Sequence, residues 1–103
     1  MGYSVILPTL NEAGHIVKLI EKIRSIFFEI QNEFEIIVVD DSSTDGTIAK
    51  VENLSKDHEN IKFYLRSGLK KNLADSINLG IKKSKYENII WIDADFQHPP
   101  DFF

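Results

Sequence analysis

Four short apolar runs, each separated from the next by a stretch with helical spacing, leave this sequence few folds to choose from. Ser4-Val5-Ile6-Leu7, stopped by Pro8, is a continuous apolar run and reads as a strand covered on both faces. Phe34 to Val39 is a second, β-branched run. Ile61 to Leu65 alternates imperfectly, as an edge strand would, and Ile89 to Ile92 forms the fourth run. Between the first two, from Asn11 to Ile30, apolar residues fall at Ile16, Leu19, Ile20, Ile23, Ile26, Phe27 and Ile30. Those steps of three and four predict a long amphipathic helix. Ile48, Val51 and Leu54 predict a shorter helix whose start is marked by Ser42 to Thr44. Leu69, Leu73, Ile77 and Ile81 predict a third, with Ala74 and Gly80 allowing close packing.

Strands alternating with helices pair in parallel, because each helix is a right-handed crossover. The expected fold class is therefore α/β: a three-layer, Rossmann-like arrangement around a mostly parallel sheet with strand order 3-2-1-4. In that order the direction of sheet growth reverses between strands 1 and 4. A crevice opens there above the strand C-termini, where ligands of such folds bind. The loops that meet at it are Pro8–Glu12 and Asp93–Gln97, with Asp40–Ser43 beside them. The sequence closes on Asp101-Phe102-Phe103 soon after the fourth run, so residues 1–103 are expected to be the N-terminal part of an incomplete domain.

Composition narrows the function. Twelve Lys plus Arg against sixteen Asp plus Glu give a net charge of −4, which argues against a nucleic-acid surface. There is no cysteine, so disulfides, thiolate nucleophiles and cysteine zinc sites are excluded. No run approaches the ~20 apolar residues of a membrane span, and no basic, signal-like N-terminus is present, so a cytoplasmic location is expected. Gly-x-Gly-x-x-Gly, Gly-Lys-Ser/Thr and Gly-x-Ser-x-Gly signatures are all missing, which removes dinucleotide-binding, P-loop and hydrolase-elbow readings. A receiver-type signalling domain would need an acidic pair after strand 1, where this chain has Pro8-Thr9.

The remaining signal is polar and sits on the crevice rim. Asp93 and Asp95 are two apart at the end of a strand and so project to one side. Two such carboxylates fit a hard divalent cation, with the Gln97 amide oxygen as a third ligand in phase. An ion there would neutralise a diphosphate and stabilise it as a leaving group. The alternative is two solvated acids, one capping a following turn. Asp40-Asp41 ends strand 2, with Asp41 the better candidate for a ligand contact and Asp45 for a cap within Ser42-Ser43-Thr44-Asp45. Thr9-Leu10-Asn11-Glu12 reads either as a capping box or as a ligand-facing helix start with Glu12 on the ligand. His15 and His58 read as exposed and inert, and His98 as a residue following the acidic cluster. Arg66, Lys70 and Lys71 read as a solvated loop and helix start within reach of a phosphate.

Four strings in order carry a resemblance. They are Ser4-Val5-Ile6-Leu7-Pro8-Thr9-Leu10-Asn11-Glu12, Glu35 through Thr47, Asn78-Leu79-Gly80-Ile81, and Trp91-Ile92-Asp93-Ala94-Asp95-Phe96-Gln97-His98-Pro99-Pro100. Together they resemble glycosyltransferase family 2, the nucleotide-sugar-dependent enzymes of the GT-A fold, and the last string is most like the polyprenyl- and dolichyl-phosphate sugar transferases. The resemblance implies an inverting hexosyltransferase using a UDP- or GDP-sugar, a lipid-phosphate acceptor and work at the cytoplasmic face of a membrane, with homo-oligomerisation left open. Carried over by position, Pro8, Glu12, Val39 and Asp41 line the nucleotide pocket. Asp93, Ala94 and Asp95 hold ribose and diphosphate, and Asp93, Asp95 and Gln97 surround Mg2+ or Mn2+. No residue up to Phe103 takes the acceptor-side or general-base role. The competing reading is a nucleotide-binding or interaction module without catalysis.

Overall fold

The computed structural model describes residues 2–66 and 73–92. The element order is β1 (Gly2–Thr9), α1 (Ile16–Ile30), β2 (Glu33–Asp40), α2 (Thr47–Asp57), β3 (Ile61–Leu65), α3 (Leu73–Lys83) and β4 (Asn88–Trp91). All the strands pair in parallel, in the order β3-β2-β1-β4. The expected topology, with its reversal between β1 and β4, is the one observed.

The faces follow from the period of two along each strand. Val5, Leu7, Ile36 and Val38 point to one side and pack with Ile16, Leu19, Ile20, Ile23 and Phe27 of α1, Val51 of α2 and Ile92. Ile6, Ile37 and Val39 point to the other, where Leu79 of α3 packs on them. Three layers result, with α1 and α2 on one face and α3 on the opposite one.

Several local expectations are corrected. Pro8 does not stop the first strand, which runs on to Thr9 with Pro8 in register with Val39. The Ile6 carbonyl accepts from Ile92 and the Thr9 carbonyl from Asp41, so even-numbered positions of β1 address β4 and odd ones β2. The N–H that Pro8 lacks would point to the level of Ile92, just past Trp91, the last residue of β4, so the proline falls where the ladder is ending. Helix α1 starts at Ile16, five residues later than Asn11: Asn11 stands in the left-handed region (φ 55°), which no helix start allows, and residues 11–13 bond the next loop through their amides. It ends on Gln31 in the left-handed region (φ 57°), whose amide and that of Asn32 cap Phe28 and Phe27, leaving Ile30 exposed.

Helix α2 starts at Thr47, behind Gly46 at φ 91°, and not at Ser42 to Thr44. In α3 the series Leu73, Ile77, Ile81 does not face the sheet. Leu73 and Ile81 are exposed, and Ser76 and Gly80 are buried instead. The reason is steric: a Cβ on Gly80 would lie 2.5 Å from Ile6 Cγ2, so the helix sits on the sheet through its smallest residues. Leu69 lies outside the described residues.

At the N-terminal end of the sheet, Glu35 is wholly buried. It accepts hydrogen bonds from Ser4 Oγ (2.6 Å), the Lys85 amide (2.7 Å) and Lys62 Nζ (2.9 Å). Burial pushes its pKa up, but the Ser4 hydroxyl, the Lys85 amide and the Lys62 ammonium outweigh that and hold the carboxyl below its ordinary range.

Candidate functional site

The C-terminal ends of β1 and β2 lie side by side, with Pro8 opposite Val39 and Thr9 opposite Asp40. The two loops that leave them are tied together by short polar side chains. Thr9 Oγ1 donates to Asp40 Oδ1 at 2.7 Å, and Asp40 also accepts from the Ser43 amide (2.8 Å) and the Ser43 hydroxyl. The Asn11 amide donates to Ser43 Oγ at 2.7 Å, and Asn11 Oδ1 accepts from the Thr44 amide at 2.8 Å. The Glu12 amide donates to Thr47 Oγ1 at 2.9 Å, and the Ala13 amide to Asp45 Oδ2 at 3.0 Å. Asn11 and Ser42 adopt left-handed backbone (φ 55° and 67°), the conformations that turn each loop back onto the other.

Neither expected capping box forms. Thr9 is spent on Asp40, and α1 has no side-chain cap. Asp45 is structural, as expected, but by a different route: its carboxylate accepts from the Thr47 amide and hydroxyl and from Ala13 across the gap. The Thr47 hydroxyl first, and then those amides, hold the Asp45 carboxyl below its usual range. Glu12 is buried, with its carbonyl accepting from His15 and Ile16 at the start of α1. His15 is exposed, as expected, and His58 is half-buried at the end of α2.

Asp41 sits on the α3 side of the sheet, where Arg66 Nη1 donates to its Oδ1 at 2.9 Å. Arg66 is not the solvated residue its basic neighbourhood suggests. Its side chain is 7% exposed and that of Asp41 6%, and Arg66 also reaches Ser76 Oγ (3.3 Å) and Asp75 (3.5 Å). The Arg66 amide donates to the Asp40 carbonyl, and the Ser42 hydroxyl donates to the Arg66 carbonyl. The signal in the sequence was positional: the first residue past an edge strand falls beside the acids that end its neighbour. Lys70 and Lys71 lie outside the described residues.

On the other flank, β4 pairs with β1 up to Trp91 opposite Ile6, and the Ile92 amide donates to the Ile6 carbonyl at 3.0 Å. Asp93, Ala94, Asp95, Gln97 and His98 lie outside the described residues. Among the described residues no group of three His, Asp or Glu side chains could hold a metal ion. No helix among them is long and apolar enough to cross a membrane.

The comparison with known families decides the assignment: the model for "Glycosyl transferase family 2" matches residues 4–103. The chain belongs to glycosyl transferase family 2. Among curated members of the family, it is 32% identical over 103 residues to a dolichol-phosphate mannosyltransferase of Mycosarcoma maydis. That match takes in 95% of this chain and 34% of that protein, so the chain spans about a third of its relative's length. Among solved structures, S. aureus TarS 1–349 in complex with UDP-GlcNAc superposes with a TM-score of 0.79 and 32% identity, over 92% of this chain and 27% of that one. The mannosyltransferase PcManGT from Pyrobaculum calidifontis, in complex with GDP-Man and Mn2+, superposes with a TM-score of 0.75 and 29% identity, over 90% and 27%. For this family 2 chain, the GT-A fold expected from the sequence is the fold observed.

Proposed function

We propose that residues 1–103 are the nucleotide-sugar-binding part of an inverting hexosyltransferase that takes a UDP- or GDP-sugar as donor and a lipid phosphate as acceptor. The observation that carries this reading is the rim at the β1–β4 reversal. Two cross-tied loops flank it on one side, and on the other β4 leads up to it through Ile92, the residue that precedes Asp93-Ala94-Asp95 in the sequence. Similarity to structures that hold UDP-GlcNAc, and GDP-Man with Mn2+, supports the donor class, and similarity to a dolichol-phosphate mannosyltransferase supports the acceptor class.

In this reading Pro8, Glu12, Val39 and Asp41 line the nucleotide pocket, and Arg66 fixes the Asp41 carboxylate from behind. Asp93, Ala94 and Asp95 take ribose and diphosphate. Asp93, Asp95 and Gln97 offer two carboxylates and an amide oxygen, a donor set suited to Mg2+ or Mn2+. Bound there, the ion would offset the negative charge that builds on the departing diphosphate. The chain's own contribution is to orient the donor and to hold its loops in place before binding. The transfer itself forms a bond from an acceptor phosphate oxygen to the anomeric carbon and breaks the anomeric carbon–diphosphate bond, whose electron pair leaves with the nucleoside diphosphate. An acceptor oxygen that is already ionised needs no base to take a proton, and a lipid acceptor places the reaction at a bilayer surface.

Calorimetric titration of the chain with UDP and GDP, with and without Mn2+, tests the assignment. Metal-dependent binding that Asp95→Ala abolishes, with the circular dichroism spectrum unchanged, is expected. Equal affinity in that variant refutes the site. Transfer or donor hydrolysis by the protein separates the enzyme from a module that only binds.

A further inference from the structure

The sequence of β4 cannot choose its own register. After Asn88, the strand residues Ile89-Ile90-Trp91 and the following Ile92 are all apolar, so a slip by one residue exchanges one apolar face for another. In the observed register Ile90 and Ile92 pack on the core while Ile89 is 37% and Trp91 49% exposed, but a slip would offer that core Ile89 and Trp91, apolar as well. The strand is four residues long and pairs with β1 alone among the described strands. Yet its register matters, because a slip carries the chain beyond Ile92 by about 3.3 Å and turns it to the opposite face. The next three residues are Asp93-Ala94-Asp95.

The register is set at the other end of the strand. The turn from α3 into β4 is held by Glu35 and Ser4, which stand opposite each other on β2 and β1. One oxygen of Glu35, Oε2, accepts from both Ser4 Oγ (2.6 Å) and the Lys85 amide (2.7 Å). Ser4 Oγ in turn accepts from the Tyr86 amide at 3.2 Å. Two successive amides of the turn are thus tied to two adjacent strands. Just beyond, the Tyr86 ring lies against Gly2, where an added Cβ would come within 2.2 Å of Cδ1, and Asn88 Nδ2 donates to the Gly2 carbonyl at 3.1 Å. The other oxygen, Oε1, takes Lys62 Nζ of β3 at 2.9 Å, a contact that does not touch β4.

We infer that Glu35 and Ser4 are positioning residues, a clamp at the bottom of the sheet that fixes the register of β4 on β1 and so the point at which the chain leaves β4 through Ile92, the residue that precedes Asp93-Ala94-Asp95 in the sequence. The consequence for those acids rests on the proposed donor site, whereas the clamp itself does not. Native-state amide exchange on the chain tests the clamp through the Ile92 amide, bonded to Ile6. The controls are the Asp41 amide on Thr9 and the Arg66 amide on Asp40.

In Ser4→Ala, which removes one hydroxyl, and in Glu35→Gln, Ile92 should lose protection at least about tenfold, the scale of hydrogen bonds to a charged group, with the controls unchanged. Lys62→Met should leave Ile92 as in the wild type. Equal loss at all three amides in both variants, or no protection of Ile92 in the wild type, overturns the clamp; if Glu35→Gln does not fold, Ser4→Ala decides.

A second arm measures nucleoside diphosphate affinity with and without Mn2+. Ser4→Ala should weaken the Mn2+-dependent part about tenfold or more, matching the lost protection, and leave metal-free affinity in place. A wild type that binds Mn2+ with nucleotide and a Ser4→Ala that binds equally well overturns the positioning role. A wild type with no Mn2+-dependent binding overturns the donor-site reading instead, and the exchange arm then judges the clamp alone.

Discussion

Replacing Arg66 with methionine would leave the Asp41 carboxylate without the cation 2.9 Å away, in a place where only 6% of its side chain meets solvent. Breaking a buried pair from one side costs about 3–5 kcal/mol, because the surviving charge stays desolvated. Asp75, 3.5 Å from Arg66 and with a side chain 60% exposed, contributes under about 1 kcal/mol, so Asp75→Asn should barely register. For a domain of this size the Arg66→Met loss corresponds to a fall in Tm of at least about 12 °C. Urea unfolding followed by circular dichroism measures it. Asp41→Asn combined with Arg66→Met should recover more than about 1 kcal/mol relative to the sum of the single losses, since neither charge is then stranded. A fall of less than about 1 kcal/mol in Arg66→Met, or strict additivity of the two changes, would refute the claim that this pair is a desolvated unit.

Gly80→Ala should destabilise by about 1–3 kcal/mol despite the better helix former, because Ile6 is fully buried and cannot move off the new methyl. Adding Ile6→Val should restore part of the loss, and a Tm unchanged by Gly80→Ala would show that the contact yields. Acid titration has a defined sign: the folded pKa of Glu35 lies below the ordinary value of 4.5, so its contribution is present above that pH and lost as the pH falls through the folded value. Glu35→Gln should flatten the pH dependence of stability in that window, as read by unfolding at stepped pH. Asp45, depressed in the same direction, adds to the slope. Glu12→Gln should weaken nucleotide binding more than it lowers Tm, and the reverse order would assign Glu12 to the loop scaffold.

The fold was legible because parallel β/α alternation leaves little freedom. The four runs, the order 3-2-1-4 and the reversal between β1 and β4 all follow from periodicity and handedness. Helix α3 shows where periodicity fails. Leu73, Ile77 and Ile81 keep a step of four, but the contact is chosen by what fits against Ile6, and that is Gly80. The capping boxes failed for a related reason. Thr9 and Glu12 have the right spacing, yet Asp40 and Thr47 on the neighbouring loop are better placed partners, and long-range pairing took precedence over local pairing. Arg66, Glu35 and Asp40 are among the charged residues whose burial the sequence hid, since each depends on a partner more than twenty positions away.

The lacing between residues 9–13 and 40–47 has a consequence for anyone who edits this scaffold. Asn11 reads Ser43 and Thr44, Ala13 reads Asp45, and Glu12 reads Thr47. Each segment takes part of its shape from the other, so transplanting one of them from a relative would bring half of a lock without its key. Specificity swaps within such scaffolds should exchange both segments as one cassette.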